Sequence, residues 1–124
     1  MNLFEIAEHF EKDRVATWKR QRIERGFSDY DAYDVDTFLI QLIPAMLRHL
    51  ADHTHGHPIE YEHKEWQEWL RETAEYFERA HDISHNRINY CYTKEQREQL
   101  NNEYTKYLNE GFMRLAENFN HLWD

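Results

Sequence analysis

The chain has 124 residues, a formal net charge of -9, 31% charged and 40% hydrophobic residues, and a single cysteine, Cys91. That balance is too apolar for a disordered chain and too short of glycine (3) and proline (2) for a turn-rich β fold. The negative charge argues against a general grip on nucleic acid or on an anionic membrane. One cysteine excludes an intrachain disulfide or a cysteine-rich metal site, and no apolar run is long enough to span a bilayer. The opening MNLFEIAEHF lacks a basic-then-apolar leader pattern, so a reducing cytoplasm is expected.

The first helix is predicted over residues 3–24, with Leu3, Phe4, Ile6, Ala7, Phe10, Val15, Trp18 and Ile23 as its apolar positions. The spacing loosens after Phe10, which predicts a bend or break at 11–13. Gly26 marks the stop, with Arg22 and Arg25 in the last turn, where cations suit the helix dipole. Residues 14–25, RVATWKRQRIER, carry a local charge of +4 against -13 for the rest of the chain. Such a stretch can meet phosphate or an acidic partner, or can serve an internal salt-bridge surface with the Asp-rich segment after it.

Ser28 with Asp31 three residues on forms an aspartate version of the capping box and starts the second helix. That helix carries Val35, Phe38, Leu39, Leu42, Ile43, Met46, Leu47 and Leu50, a broad stripe that makes it the candidate central core helix. Pro44 cannot donate to the Ile40 carbonyl, so a kink is expected there. Gly56 and Pro58 end the helix. A third helix starts near residues 60–62 and runs to about His81, with Trp66, Trp69, Leu70, Thr73, Phe77 and Ala80 inward and an acidic outer face. Residues 82–93 read as a connection with room for one short turn of helix. Thr93 and Gln96 then cap a fourth helix lined by Leu100, Tyr104, Leu108, Gly111, Phe112, Leu115, Phe119 and Leu122. The expected architecture is all-α, one domain over residues 1–124, a compact bundle of about four helices with the second kinked at Pro44.

No closed catalytic set is legible: there is no phosphate-binding glycine loop, nucleophile elbow or HExxH. Seven of the nine histidines fall between His49 and His85. His49 and His53, and again His81 and His85, stand four apart, which puts each pair on one helix side and makes them the weak candidates for a divalent-metal site. Edge-of-core hydrogen bonding is the simpler account of His49. Asp29, Asp31, Asp34 and Asp36 crowd one turn, and Glu65, Glu68, Glu72 and Glu75 share a helical spacing. Carboxylates so placed suit Mg²⁺ in a nucleotide hydrolase, and also suit an ordinary solvated face.

The phrases RGFSDYDAYDVD (25–36), LIPAMLRHLADHTHGHP (42–58), WQEWL (66–70) and LAENFNHLWD (115–124) occur in an order that resembles a family of small uncharacterised helical proteins of tailed bacteriophages and prophages. The resemblance spans residues 18–124. It departs at Tyr33, where the family pattern has Trp, and at His57, where it has another aromatic residue. It implies a virion-independent phage accessory protein in the host cytoplasm and supplies no catalytic residues. Arg22, Arg25, Asp31, Asp34, Asp36 and His55 are the binding candidates. The expected function is non-enzymatic binding of a host or phage protein that modulates a host process, with a homodimer as one form of it. The competing readings are a metal-dependent nucleotide or phosphoester hydrolase and a nucleic-acid binder using the basic first helix.

Overall fold

The computed structural model describes the backbone of residues 3–86 and 91–124, and side chains from residue 12 within those ranges. The described chain is all-α, as expected. It contains α1 (Leu3–Arg25), α2 (Asp29–Tyr33), α3 (Val35–His53), α4 (His63–Asn86), α5 (Lys94–Glu117) and a closing 3₁₀ turn, Phe119–His121. No described helix is long and apolar enough to cross a membrane. The chain divides into two compact units, Met1–Phe38 and Leu39–Asp124.

In the first unit α1 is helical throughout, without the break expected at 11–13. The proposed inward roles of Leu3, Phe4, Ile6, Ala7 and Phe10 lie outside the described side chains. Trp18 is half-buried and packs on Tyr30, ring centroids 4.8 Å apart, whereas Ile23 is solvent-exposed. Gly26 ends the helix with φ +88°, and its N–H donates to the Arg22 carbonyl at 2.9 Å. A Cβ disfavours that left-handed conformation, which is why glycine stands there. The expected capping box forms, but it caps only the five-residue α2. The second helix is thus split at Asp34 (φ -139°, ψ 71°), whose carboxylate accepts from Thr37 Oγ1 at 2.9 Å. An aspartate that bonds locally competes with helix continuation.

In the second unit α3 continues through Pro44, which is buried. The broad apolar stripe does not lie inward as a whole. Ile40, Pro44, Leu47 and Ala51 are buried, Ile43 and Leu50 are half-buried, and Leu39, Leu42 and Met46 are exposed. The helix stops at Thr54, whose hydroxyl donates to the Gly56 carbonyl. Gly56 itself does not take the left-handed conformation expected of a helix stop.

The central core helix is α4, not α3. Trp66, Trp69, Leu70, Thr73, Ala74, Phe77 and Ala80 are all buried, which includes every position expected from its periodicity. Leu47 and Ala51 of α3 join that core, and Tyr61, Leu108, Leu115 and Leu122 pack around it. Trp66 and Trp69 stack at 5.1 Å, and Phe77 meets Phe112 edge to face at 5.0 Å. Aromatic pairs in such geometries add to the burial of their large surfaces. α4 also runs past the expected end at His81, because half-buried Ile83 extends its inward face. Of the connection expected at 82–93, residues 82–86 are therefore helical and 87–90 lie outside the described residues. Thr93 and Gln96 cap α5 reciprocally, as expected.

Arg48 holds α3 to α4 through a forked contact with Glu78, Nε to Oε2 at 2.8 Å. Gln67 adds a bond to the Ala51 carbonyl at 2.9 Å, and Arg71 pairs with Asp52 at 2.9 Å. Arg114 of α5 reaches into the α4 core, with Nε donating to Thr73 Oγ1 at 3.0 Å.

Candidate functional site

Arg22 with Asp31, and Arg25 with Asp29, anchor two local sets of polar contacts in the first unit. Asp31 is buried, and its carboxylate takes a fork from Arg22, with Nε to Oδ2 at 2.8 Å, and the Ser28 N–H at 2.9 Å. The Arg22 hydrogen bond, helped by the Ser28 backbone and hydroxyl and by coulombic attraction, holds this carboxyl well below the usual range. Arg25 donates from Nε to the Phe27 carbonyl and pairs with Asp29 through Nη2. Gln21 bonds both the Asp29 carboxylate and its N–H, each at 2.8 Å. Arg25 lowers the Asp29 pKa, with Gln21 second.

The geometry thus spends Arg22 and Arg25 on ordering the α1–α2 turn, the internal salt-bridge alternative read from the sequence. Arg20 pairs with Glu24 at 3.9 Å. The exposed Asp34 and Asp36 accept from Thr37 Oγ1 and N–H respectively. Among the described residues no group of three or more His, Cys, Asp or Glu is placed to hold a metal ion.

His55 is exposed and docks on Asp124, with N–H to Oδ1 at 2.7 Å and Nδ1 to Oδ2 at 3.1 Å. The His55 backbone amide, then its ring, lowers the Asp124 pKa. His49 and His53 stack with centroids 4.1 Å apart, and His53 Nδ1 bonds the His49 carbonyl at 2.8 Å. His81 and His85 meet differently, rings perpendicular and Nε2 to Nε2 at 2.8 Å. The α4 carboxylates are drawn onto cations: Glu72 to Arg114, Glu75 to Arg79, and Glu78 to Arg48.

The concave feature with the clearest chemical character was absent from the polar candidates. Ile43, Met46, Leu47 and Leu50 of α3, with Leu115, Phe119 and Leu122, line an apolar groove of about 570 Å³. Among the described residues, His49 is the only ionisable group on its walls. Met46 is 62% and Phe119 67% exposed, so large apolar surface faces water at both walls. The sequence signal was the width of the α3 stripe: one packed face cannot bury residues at 39, 42, 46 and 47 together. A second cavity, about 640 Å³, is mixed, with Ile40, Pro44 and Ala45 facing Glu75, Glu78, His81 and Asp82.

The groove suits the apolar side of a helix or an aliphatic ligand. Among the described residues it presents no hydroxyl or thiol nucleophile and no pair of carboxylates. Compared with known protein families, with curated proteins and with solved structures, the chain matches none of them.

Proposed function

We propose that the protein acts by protein–protein binding, and that the α3–α5 groove receives an amphipathic helix from its partner. The observation that carries this reading is the open apolar groove between Met46 and Phe119. Exposed apolar surface gathered in one concave patch is what helix-in-groove recognition uses. The partner helix carries basic residues on its polar side. The unit that holds the groove has 15 Asp and Glu against 9 Lys and Arg, so a basic helix is drawn in and steered. A second copy of the chain, at -9, is repelled by the same field. The role that fits the sequence resemblance is that of a non-enzymatic phage accessory protein engaging a host or phage protein in the host cytoplasm.

The test is a titration with a Leu/Lys model peptide of helical apolar spacing, beside a photo-cross-linker at position 46 in phage-infected cells. Saturable peptide binding lost in Met46→Glu and Phe119→Glu, with one defined cross-linked protein, is the expected result. A dimer that forms without peptide and is dissolved by Met46→Glu would replace the heterologous partner with self-association. Binding unchanged in both variants would overturn the groove as the docking face.

A further inference from the structure

Two histidine pairs stand at one-turn spacing on helices, and one of them brings two Nε2 atoms close together. His49 and His53 are stacked with 22° between their planes. Lone pairs of ring nitrogens lie in the ring plane, so nearly parallel stacked rings aim them side by side and not at one point. His81 and His85 are at 89°, with their Nε2 atoms 2.8 Å apart. Nitrogens bound at ~2.0–2.1 Å to one ion lie about 2.9 Å apart at a right angle and about 3.3 Å apart at the tetrahedral angle. The two Nε2 atoms are thus already near the separation one ion requires.

Their surroundings leave one net negative charge, that of Asp82, once the glutamate pairs are counted. His81 shares a cavity wall with Glu75, Glu78 and Asp82. Arg79 stands on the same wall, and Arg48 reaches Glu78 from α3, each occupied by a glutamate. His85 is exposed and His81 half-buried, so water can fill the remaining coordination positions.

We propose that His81 and His85 form a two-histidine chelate for a divalent ion of the imidazole-preferring class, Cu²⁺, Ni²⁺ or Zn²⁺. Without an ion one ring donates its Nε2 proton to the other. Binding requires both rings as Nδ1–H tautomers, so that both Nε2 lone pairs face the ion. Neutral rings change tautomer without net proton release, and a protonated ring gives its proton to solvent. Protons therefore compete with the ion, and binding weakens on acidification. Affinity follows Cu²⁺ above Ni²⁺ and Zn²⁺, with Mg²⁺ and Ca²⁺ not held. The chelate ties one turn to the next near the end of α4 and shares no residue with the docking groove.

The experiment titrates the full chain with CuCl₂, NiCl₂ or ZnCl₂ by calorimetry, and follows histidine Cε1–H resonances with Ni²⁺. One ion per chain is expected, with the His81 and His85 resonances broadened first. His85→Ala, at an exposed position, should weaken binding by about tenfold or more, since losing one of two ligands costs at least as much as losing an outer-shell partner. The His49→Ala/His53→Ala variant should bind as the parent does, and at equal ion concentration the ion should raise the Tm of the parent more than that of His85→Ala. Affinity unchanged in His85→Ala, binding abolished only when His49 and His53 are removed, or no binding at millimolar ion would each overturn the proposal.

Discussion

Gly111 on α5 lies against the ring of Phe77 on α4: a Cβ at position 111 would stand 3.0 Å from Phe77 Cε2 and 3.1 Å from Cζ. Phe77 is fully buried and also meets Phe112, so the ring has little room to withdraw. The glycine is therefore what lets the two longest core helices approach.

Gly111→Ala sets two opposed effects against each other. Alanine improves helix propensity by about 1 kcal/mol, and overpacking a close-packed core costs about 1–3 kcal/mol. The expected net is a loss of about 1 kcal/mol, read as a lower urea midpoint at unchanged slope. Phe77→Leu should cost less in the Gly111→Ala background than in the parent, and a strictly additive pair would show that the ring is not the obstacle.

The two turn glycines should behave oppositely. Gly26 has φ +88°, so Gly26→Ala forces a Cβ into the left-handed region and costs about 1–2 kcal/mol. Gly56 has neither a positive φ nor a neighbour near its missing Cβ. Gly56→Ala should be neutral or stabilise by about 0.4–1 kcal/mol through the unfolded chain. Thermal unfolding of both variants measures the contrast.

Arg114 holds α5 to the core through several groups at once. It bonds Thr73 Oγ1 at 3.0 Å and the Trp69 carbonyl at 3.3 Å, and its guanidinium lies 5.3 Å from the Trp69 ring and 5.5 Å from that of Tyr76. Arg114→Ala should cost about 2 kcal/mol from lost bonds and stacking. Arg114→Lys should recover little, because an ammonium cannot reproduce the planar fork. Full rescue by lysine would mean that charge alone matters there.

Asp31 makes the first unit sensitive to acid. Its pKa is depressed in the folded state by Arg22 and Ser28. A depressed carboxyl contributes stability that is present above the ordinary aspartate range and lost as pH falls through that range towards the folded value. Acid titration should therefore loosen the α1–α2 turn, seen as loss of the Trp18–Tyr30 contact in tryptophan fluorescence. Asp31→Asn should shift that response to neutral pH and flatten its pH dependence. Ser28→Ala removes the cap hydroxyl and costs about 1 kcal/mol.

Legibility in the sequence followed the physics of each element. Ser28–Asp31 and Thr93–Gln96 were readable because capping is local: four consecutive residues contain both partners. The inward face of α4 was readable because one period runs through Trp66, Leu70, Thr73 and Phe77. The break at Asp34 was not, since a side chain bonding Thr37 looks in sequence like any acid in a first turn. The stop at Thr54 is not legible, because Thr54 and Gly56 both suit a helix end and the hydroxyl contact between them is invisible in composition. The polar contacts around Arg22 and Arg25 are one of the two alternatives that the charge pattern allows. The groove is not legible, because periodicity shows which residues are apolar but not whether a neighbour covers them.

Leu47 and Met46 test that distinction directly. They are adjacent on α3, yet Leu47 is 4% exposed within the core and Met46 is 62% exposed on the groove wall. Leu47→Ala should cost about 2–5 kcal/mol by lost transfer energy and a residual cavity. Met46→Ala should stay within about 0.5 kcal/mol of the parent. Binding is expected to invert the order at matched folded fraction, with Met46→Ala impaired for a helical partner and Leu47→Ala, below its melting range, much less so. Equal destabilisation by both changes would place Met46 against a covering element and remove the groove wall from which the docking proposal starts.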